Sequence, residues 1–248
     1  MAHACYEAHD VSSSAPEVSI VIPVYNEEAL LRSALADLRT RLVQMGWQYE
    51  IVLAENGSTD RTLERVRELE REWPELRSIT LPDPNYGRAL RQGIEAARGS
   101  YVVCDEIDIG DTDFYGRALE LLRHDRVDLV VGSKLIGGAK DDRPLFRHLL
   151  SLAYTGTLAL LVGFRGTDTH GLKAFRREAM LPVVRACQVD RDVFASELVI
   201  RSHRAPLRVL EIPTRIREKR PPSINLIRRL PAVVTNLAKL TWVLRARR

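Results

Sequence analysis

The sequence predicts a doubly wound α/β fold, with a mostly parallel, Rossmann-like sheet and helices on both of its faces. Three observations carry this. Short β-branched or apolar runs recur, each followed by a polar turn and then by a segment of helical periodicity. The runs are nearly continuous in apolar residues, as strands covered on both faces must be. The chain of 248 residues is 45% hydrophobic, enough to enclose a large core.

Val18 to Pro23 (VSIVIP) reads as the first strand, ended by proline. Tyr25-Asn26-Glu27-Glu28 is expected to open a helix, with Asn26 as its cap and the acids at its positive end. That helix runs to about Met45, with Leu30, Leu31, Ala34, Leu35, Leu38 and Leu42 on one face. Tyr49 to Ala54 is the second strand, and Glu55 to Asp60 (ENGSTD) is a polar turn into a charged helix ending before Pro74. Arg77 to Leu81 is the third strand. Gly87-Arg88-Ala89-Leu90-Arg91 then starts a helix to Arg98, and its glycine, arginines and free N–H groups suit an anion. Tyr101 to Cys104 is a fourth strand that stops abruptly in Asp105, Glu106 and Asp108. Phe114 to Leu122 follows as a helix and Val127 to Gly132 as a strand.

Beyond Ser133 the pattern changes. Arg143 to Gly163 reads as a helix with a basic start and an apolar body, and Gly166 to Phe175 as a compact polar loop. Phe194 to Arg201 is expected to be helical and Arg208 to Pro213 a short strand. Arg215 to Arg220 is a basic segment. Ile224 to Arg248 spaces leucines and valines at helical intervals among arginines, with a bend expected at Pro231. The division is a disordered leader over 1–16, a catalytic domain over 17–223 and a basic amphipathic helical segment over 224–248.

Three strands thus aim their carboxyl ends, carrying Tyr25-Asn26-Glu27, Glu55-Asn56 and Glu106-Asp108, at one crevice. Glu106 and Asp108 are hard oxygen ligands suited to Mg2+ or Mn2+ shared with substrate phosphates; the alternative is a solvated acidic turn. The chain holds neither GxGxxG nor GxxxxGK[ST], so the usual dinucleotide and P-loop readings lose support. Only five of its 37 basic residues are lysine, a bias that suits bidentate phosphate binding and equally a GC-rich genome. The net charge of +4 is a mild excess, and nucleic acid is not an expected partner. Cys5, Cys104 and Cys187 show no metal-ligand spacing and fit a reducing compartment. The first residues lack the basic and apolar regions of a signal peptide. Leu149 to Phe164, the most apolar segment, falls short of the roughly 20 residues that span a bilayer.

In order along the chain stand VSIVIPVYNEE, ENGSTDRT, NYGRALRQGIEAARGSYVV, CDEID, DLVVGSK, RHLLS, DTHGLKAFRRE, FASELVIRS and EIPTRIREKRPPS. With these strings the chain resembles the family 2 glycosyltransferases, most closely the branch of dolichol-phosphate mannose synthase and the polyprenyl-phosphate glycosyltransferases. The resemblance implies a glycosyltransferase A-type fold. It also implies transfer of a sugar, mannose or glucose, from a GDP- or UDP-linked donor to a polyprenyl or dolichyl phosphate, with Mg2+ or Mn2+. Pro23, Tyr25 and Glu27 match the motif that holds the nucleoside. Glu55 and Asn56 match a pair of acids at base and ribose, Asn56 being a departure from the second acid. Gly87 and Arg88 match the loop that passes over the nucleotide. Glu106, Ile107 and Asp108 match the metal-binding DxD, here with glutamate first.

By the same resemblance Lys134, Arg147 with Ser151, and Arg220 with Lys219 would neutralise phosphates, while Asp168 matches the acid of a D-x-x-G loop that His170 and Gly171 complete. Pro221 and Pro222 stand where the family's phosphate-closing loop has glycine. The implied setting is cytoplasmic, peripheral on the inner face of the membrane, with a homodimer among the expected states. Two other readings stay open: transfer to a soluble hydroxyl with Asp168 as base, and a non-catalytic nucleotide-sugar-binding scaffold. Asp168 serves equally as a turn cap. Glu197 reads as plain helix-surface charge, and the resemblance makes it an acceptor-site candidate.

Overall fold

A computed structural model of the protein describes residues 15–141, 145–216 and 226–246. The first half of the chain runs β1 (Val18–Val24), α1 (Leu31–Gln44), β2 (Tyr49–Glu55), α2 (Thr62–Glu72), β3 (Leu76–Thr80), α3 (Tyr86–Ala96), β4 (Tyr101–Cys104) and α4 (Thr112–His124). Then come β5 (Leu129–Ser133), β6 (Lys140–Asp141), α5 (Leu145–Val162), β7 (Lys173–Arg176) and α6 (Arg177–Ala186). The chain continues with α7 (Phe194–Arg204), β8 (Val209–Pro213), β9 (Arg215–Ile216) and α8 (Leu226–Arg245).

Seven strands form one sheet in the order β3-β2-β1-β4-β7-β5-β8, while β6 and β9 pair separately. All neighbours in the large sheet are parallel except β7, which is antiparallel to both β4 and β5. Strand β1 lies between β2 and β4, so the chain turns outward in both directions from it. That is the switch point at which doubly wound sheets open a crevice beyond their strand ends. Alternate side chains of β1 divide the core accordingly. Ile20, Ile22 and Val24 pack with Leu31 and Leu35 of α1, Val66 of α2 and Phe114 of α4. Val21 faces the other way, toward Leu90 of α3, Leu158 of α5, Met180 of α6, Leu198 of α7 and Leu240 of α8. The expected sheet with helices on both faces is therefore present.

Three local expectations are corrected, and one helix is unanticipated. Asn26 does not cap α1: the helix begins at Leu31 with no side-chain cap, and Asn26 adopts φ 55°, a left-handed conformation that asparagine tolerates. The segment 166–175 is not all loop, because Lys173–Arg176 forms β7; four residues with a charge at each end carry no readable periodicity. Helix α6 follows at once and contains Pro182, the residue that hides it from a pattern search. Helix α8 runs unbroken through position 231, since burial of Leu240, Val243 and Leu244 against the core outweighs one missing backbone bond.

Candidate active site

The crevice rim is built by hydrogen bonds between loops remote in sequence. Asn56 N donates to the Val24 carbonyl at 2.9 Å, and Leu81 N to the Glu55 carbonyl at 2.9 Å. Asn26 Nδ2 donates to Thr59 Oγ1 at 3.2 Å, while Asn26 Oδ1 accepts from Thr59 N at 2.8 Å. The asparagine thus ties the loop after β1 to the loop after β2 instead of starting a helix. Asn85 N donates to Asn56 Oδ1 at 2.6 Å and brings the start of α3 to the same rim. Along it stand buried Pro23, exposed Tyr25, and buried Glu27, whose N–H donates to Thr62 Oγ1 at 2.7 Å. Glu55 is also buried, its Oε1 accepting from Ser58 N at 2.6 Å.

The start of α3 is more closed than a free anion site. Asn85 caps it, its Oδ1 accepting from Arg88 N at 3.1 Å and from Arg191 N at 2.9 Å. A Cβ on Gly87 would stand 2.4 Å from the Arg191 carbonyl oxygen, so this glycine serves a close approach of backbone to backbone. Arg91 stacks its guanidinium on Phe194, 5.3 Å from the ring centroid, and donates to the Cys187 carbonyl. Arg88 and Arg91 each keep a buried Nε without a partner among the described residues. Both arginines retain unused donor capacity, but Arg91 is held against Phe194 and the Cys187 carbonyl.

At the end of β4 the three acids are held differently. Asp105 is buried; its Oδ1 accepts from Glu106 N at 2.7 Å, and its Oδ2 from Gly110 N at 3.1 Å and from the Tyr115 hydroxyl. Ile107 is buried in the core, whereas Glu106 and Asp108 on either side of it keep part of their surface open. Glu106 accepts from the Tyr86 hydroxyl. Burial pushes Asp105 up to about 7 against its three donors, with the charge of Asp108 adding to the rise. Glu106 is likewise pushed up to about 7, by burial first and then by Asp105 and Asp108, against the Tyr86 hydrogen bond. Lys173 lies beside these crowded carboxylates but does not offset their burial; a divalent cation would, and the hard oxygen donor set fits Mg2+ or Mn2+. Among the described residues no three His, Cys, Asp or Glu side chains form a metal cage. The arrangement suits an ion that takes its remaining oxygens from substrate and water.

Beside this lies a cavity of about 280 Å3 lined by Lys134, Arg147, Ser151, Tyr154, Asp168 and His170. Arg147 and Ser151 are one helical turn apart on α5, and Ser151 Oγ donates to the Arg147 carbonyl at 3.0 Å. Lys134 Nζ donates to Asp168 Oδ2 at 2.6 Å, and Asp168 Oδ1 accepts from His170 N at 2.9 Å. Burial would raise the Asp168 pKa, but the Lys134 ammonium and these hydrogen bonds outweigh it and hold the carboxyl below its usual range. The loop is locked at Gly171, where a Cβ would come within 1.6 Å of the Gly132 carbonyl oxygen. His170 also lines a narrow space shared with Tyr86, Glu106 and Lys173, joining the cationic cavity to the carboxylates.

Lys219 and Arg220, with Pro221 and Pro222, lie outside the described residues. Glu197 is not surface charge: it is fully buried and accepts from Gln188 N, Val189 N and Arg201 Nε. Sequence reasoning missed Tyr86, Tyr115, Tyr154 and Lys173. The one usable signal was Asn85, a cap residue directly before Tyr86.

The fold is that of the A-type glycosyltransferases. The fold is similar to that of glucosyl-3-phosphoglycerate synthase from Mycobacterium tuberculosis, solved in complex with Mn2+, UDP and glucosyl-3-phosphoglycerate. The TM-score is 0.63 at 20% identity, over 94% of this chain and 80% of that one. It is also similar to the mannosyltransferase PcManGT from Pyrobaculum calidifontis in complex with GDP-Man and Mn2+, with a TM-score of 0.59 at 24% identity, over 92% of this chain and 64% of that one. The glycosyl transferase family 2 model matches residues 19–181, and the chain belongs to that family.

Three relatives are similar in sequence. Glycosyltransferase AglD of Haloferax volcanii is 29% identical over 93% of this chain. A dolichyl-phosphate beta-glucosyltransferase of Trichomonas vaginalis is 29% identical over 79% of it. An undecaprenyl-phosphate 4-deoxy-4-formamido-L-arabinose transferase of Edwardsiella ictaluri is 28% identical over 82% of it. The chain spans 38%, 64% and 60% of the respective lengths of these relatives.

Proposed function

We propose that the chain transfers a hexose, mannose or glucose, from a GDP- or UDP-linked donor to a polyprenyl phosphate, with Mg2+ or Mn2+ as cofactor. The observation that carries the acceptor assignment is the Lys134–Asp168 pair inside the cavity that Arg147 and Ser151 also line. A hydroxyl acceptor needs a general base, and Asp168, held by Lys134 and with a lowered pKa, is a weak one. A phosphate monoester is already an anionic nucleophile and needs positive charge around it instead. Its oxygen attacks the anomeric carbon of the donor sugar, and the nucleoside diphosphate departs with the bonding electron pair.

In this reading Pro23, Tyr25, Glu27, Glu55 and Asn56 hold the nucleoside, and Arg88 offers its spare donor to the nucleotide. Glu106 and Asp108 hold the cation, which when bound would offset charge on the leaving diphosphate. Lys134 and Arg147 orient the acceptor phosphate, with Arg220 assigned to the same task by resemblance. The relatives named for dolichyl-phosphate and undecaprenyl-phosphate transfer support this acceptor class.

A membrane-surface location is part of the same proposal. Among the described residues no helix is long and apolar enough to cross a membrane. Helix α5 nevertheless exposes Phe146, Leu149, Leu152 and Leu160, and α8 exposes Val234 and Trp242. Helix α5 carries the acceptor cavity on its first half, so a lipid layer against this apolar face would deliver a phosphate headgroup to Arg147.

Purified full-length protein, Mg2+ or Mn2+, polyprenyl phosphate and a panel of nucleotide sugars test the reading by nucleotide release. Release that requires the lipid phosphate, and that falls at least about 100-fold in Arg147→Gln, is expected. Release no higher than without acceptor for every donor sinks it, and activity that survives Arg147→Gln on a hydroxyl acceptor favours the other acceptor class. Trp242→Ser with Leu160→Ser is expected to lower co-sedimentation with anionic vesicles.

A further inference from the structure

Strand β7 delivers a positive charge to the narrow space between the carboxylates and the acceptor loop. Lys173 opens this strand, in register with Cys104 of β4 and Val131 of β5. Only 3% of it is exposed. Its Nζ donates to the Gly171 carbonyl at 2.7 Å, the one hydrogen bond it makes among the described residues. Tyr86, Asp105, Glu106 and His170 line the same space. Burial lowers the lysine pKa, opposed by Cys104, Asp168 and Glu106, and Lys134 acts in the same direction as burial. A lysine is rarely taken so far from water unless negative charge stands near it.

We propose that Lys173 is a positioning residue that fixes the Asp168–Gly171 loop beside Glu106 and serves both as a shared, buried countercharge. This rests on the reading of Glu106 and Asp108 as ligands of a divalent cation. Two consequences follow from geometry and charge. The ammonium repels a cation at Glu106, so it weakens cation binding and keeps the ion exchangeable. Through Gly171 it also sets where the wall of the acceptor cavity stands.

The test uses electron paramagnetic resonance of free Mn2+, titrated into full-length protein with UDP and separately with GDP, and needs no turnover. Lys173→Met should bind Mn2+ about tenfold tighter than wild type, because a charge is removed close to the ion. It should also raise the acceptor KM, so that metal binding improves while catalysis worsens. Lys173→Arg keeps the charge and should stay within about twofold of wild type in Mn2+ affinity. Lys173→Gln, which keeps a donor for the Gly171 carbonyl without the charge, takes the place of the methionine variant if that one does not fold. Mn2+ affinity equal in wild type, the uncharged variant and the arginine variant overturns the inference and leaves the proposed reaction standing. Wild-type protein that binds no Mn2+ with either nucleotide overturns the metal reading and this inference with it.

Discussion

Replacing Asp168 by asparagine isolates the most consequential ion pair of the site. Lys134 and Asp168 are both nearly inaccessible, with side-chain exposures of 8% and 4%, and their charged atoms are 2.6 Å apart. At an effective dielectric constant near 20 that separation corresponds to about 6 kcal/mol of attraction, an upper bound because both groups have lost their water. Asparagine keeps an acceptor for His170 N but leaves the Lys134 ammonium buried without its countercharge. Removing one partner of such a pair costs about 3–5 kcal/mol. In a chain of this length each kcal/mol moves the melting temperature by about 2–4 °C, so a fall of about 6–20 °C is expected by calorimetry. Lys134→Met combined with Asp168→Leu should recover much of the loss, since neither charge is then stranded. The pH dependence has a fixed sign. The folded pKa of Asp168 lies below its unfolded value, so the pair contributes fully above about pH 4 and is lost as pH falls through the folded value. The asparagine variant should therefore show a shallower acid limb. Single substitutions costing under about 1 kcal/mol each, and adding without coupling, would refute the pair as a structural unit of the site.

Three further outcomes are expected. Gly171→Ala should yield no native circular dichroism spectrum, because its Cβ has no room beside the Gly132 carbonyl. Tyr115→Phe removes one of the three donors to buried Asp105 and should cost about 1–3 kcal/mol in urea unfolding, with the fold kept by the remaining two. His203, exposed but with its ring edge-on to Phe164, has its pKa lowered by partial desolvation against the opposing pull of Glu211. Stability should therefore fall as pH drops below about 6.5, where the unfolded chain binds the proton more readily, and His203→Gln should remove that part of the slope.

What the sequence displayed and what it hid separate along one physical line. Strands β1, β2 and β4 were legible because both sheet faces are covered, which forces a run of apolar residues long enough to see. The acids at their ends were legible because charge directly after such a run must emerge at a strand end. Strand β7 has the same environment but only four residues, and its first is Lys173, whose burial follows from neighbours, Val131 and Cys104, that stand 42 and 69 residues earlier in the chain. Asn26 fitted a cap rule that is local, whereas its actual partner Thr59 stands 33 positions away.

The same division runs through the three acids after Cys104. Their identity is a local fact, but the difference between them is made by side chains from elsewhere. Tyr115 draws Asp105 inward, Tyr86 reaches Glu106 from the start of α3, and Ile107 is buried while Asp108 keeps part of its surface open. A string of acids states that negative charge is concentrated at a strand end. Which of those charges is tied into the fold, and how, depends on two tyrosine hydroxyls that no spacing within CDEID could have specified.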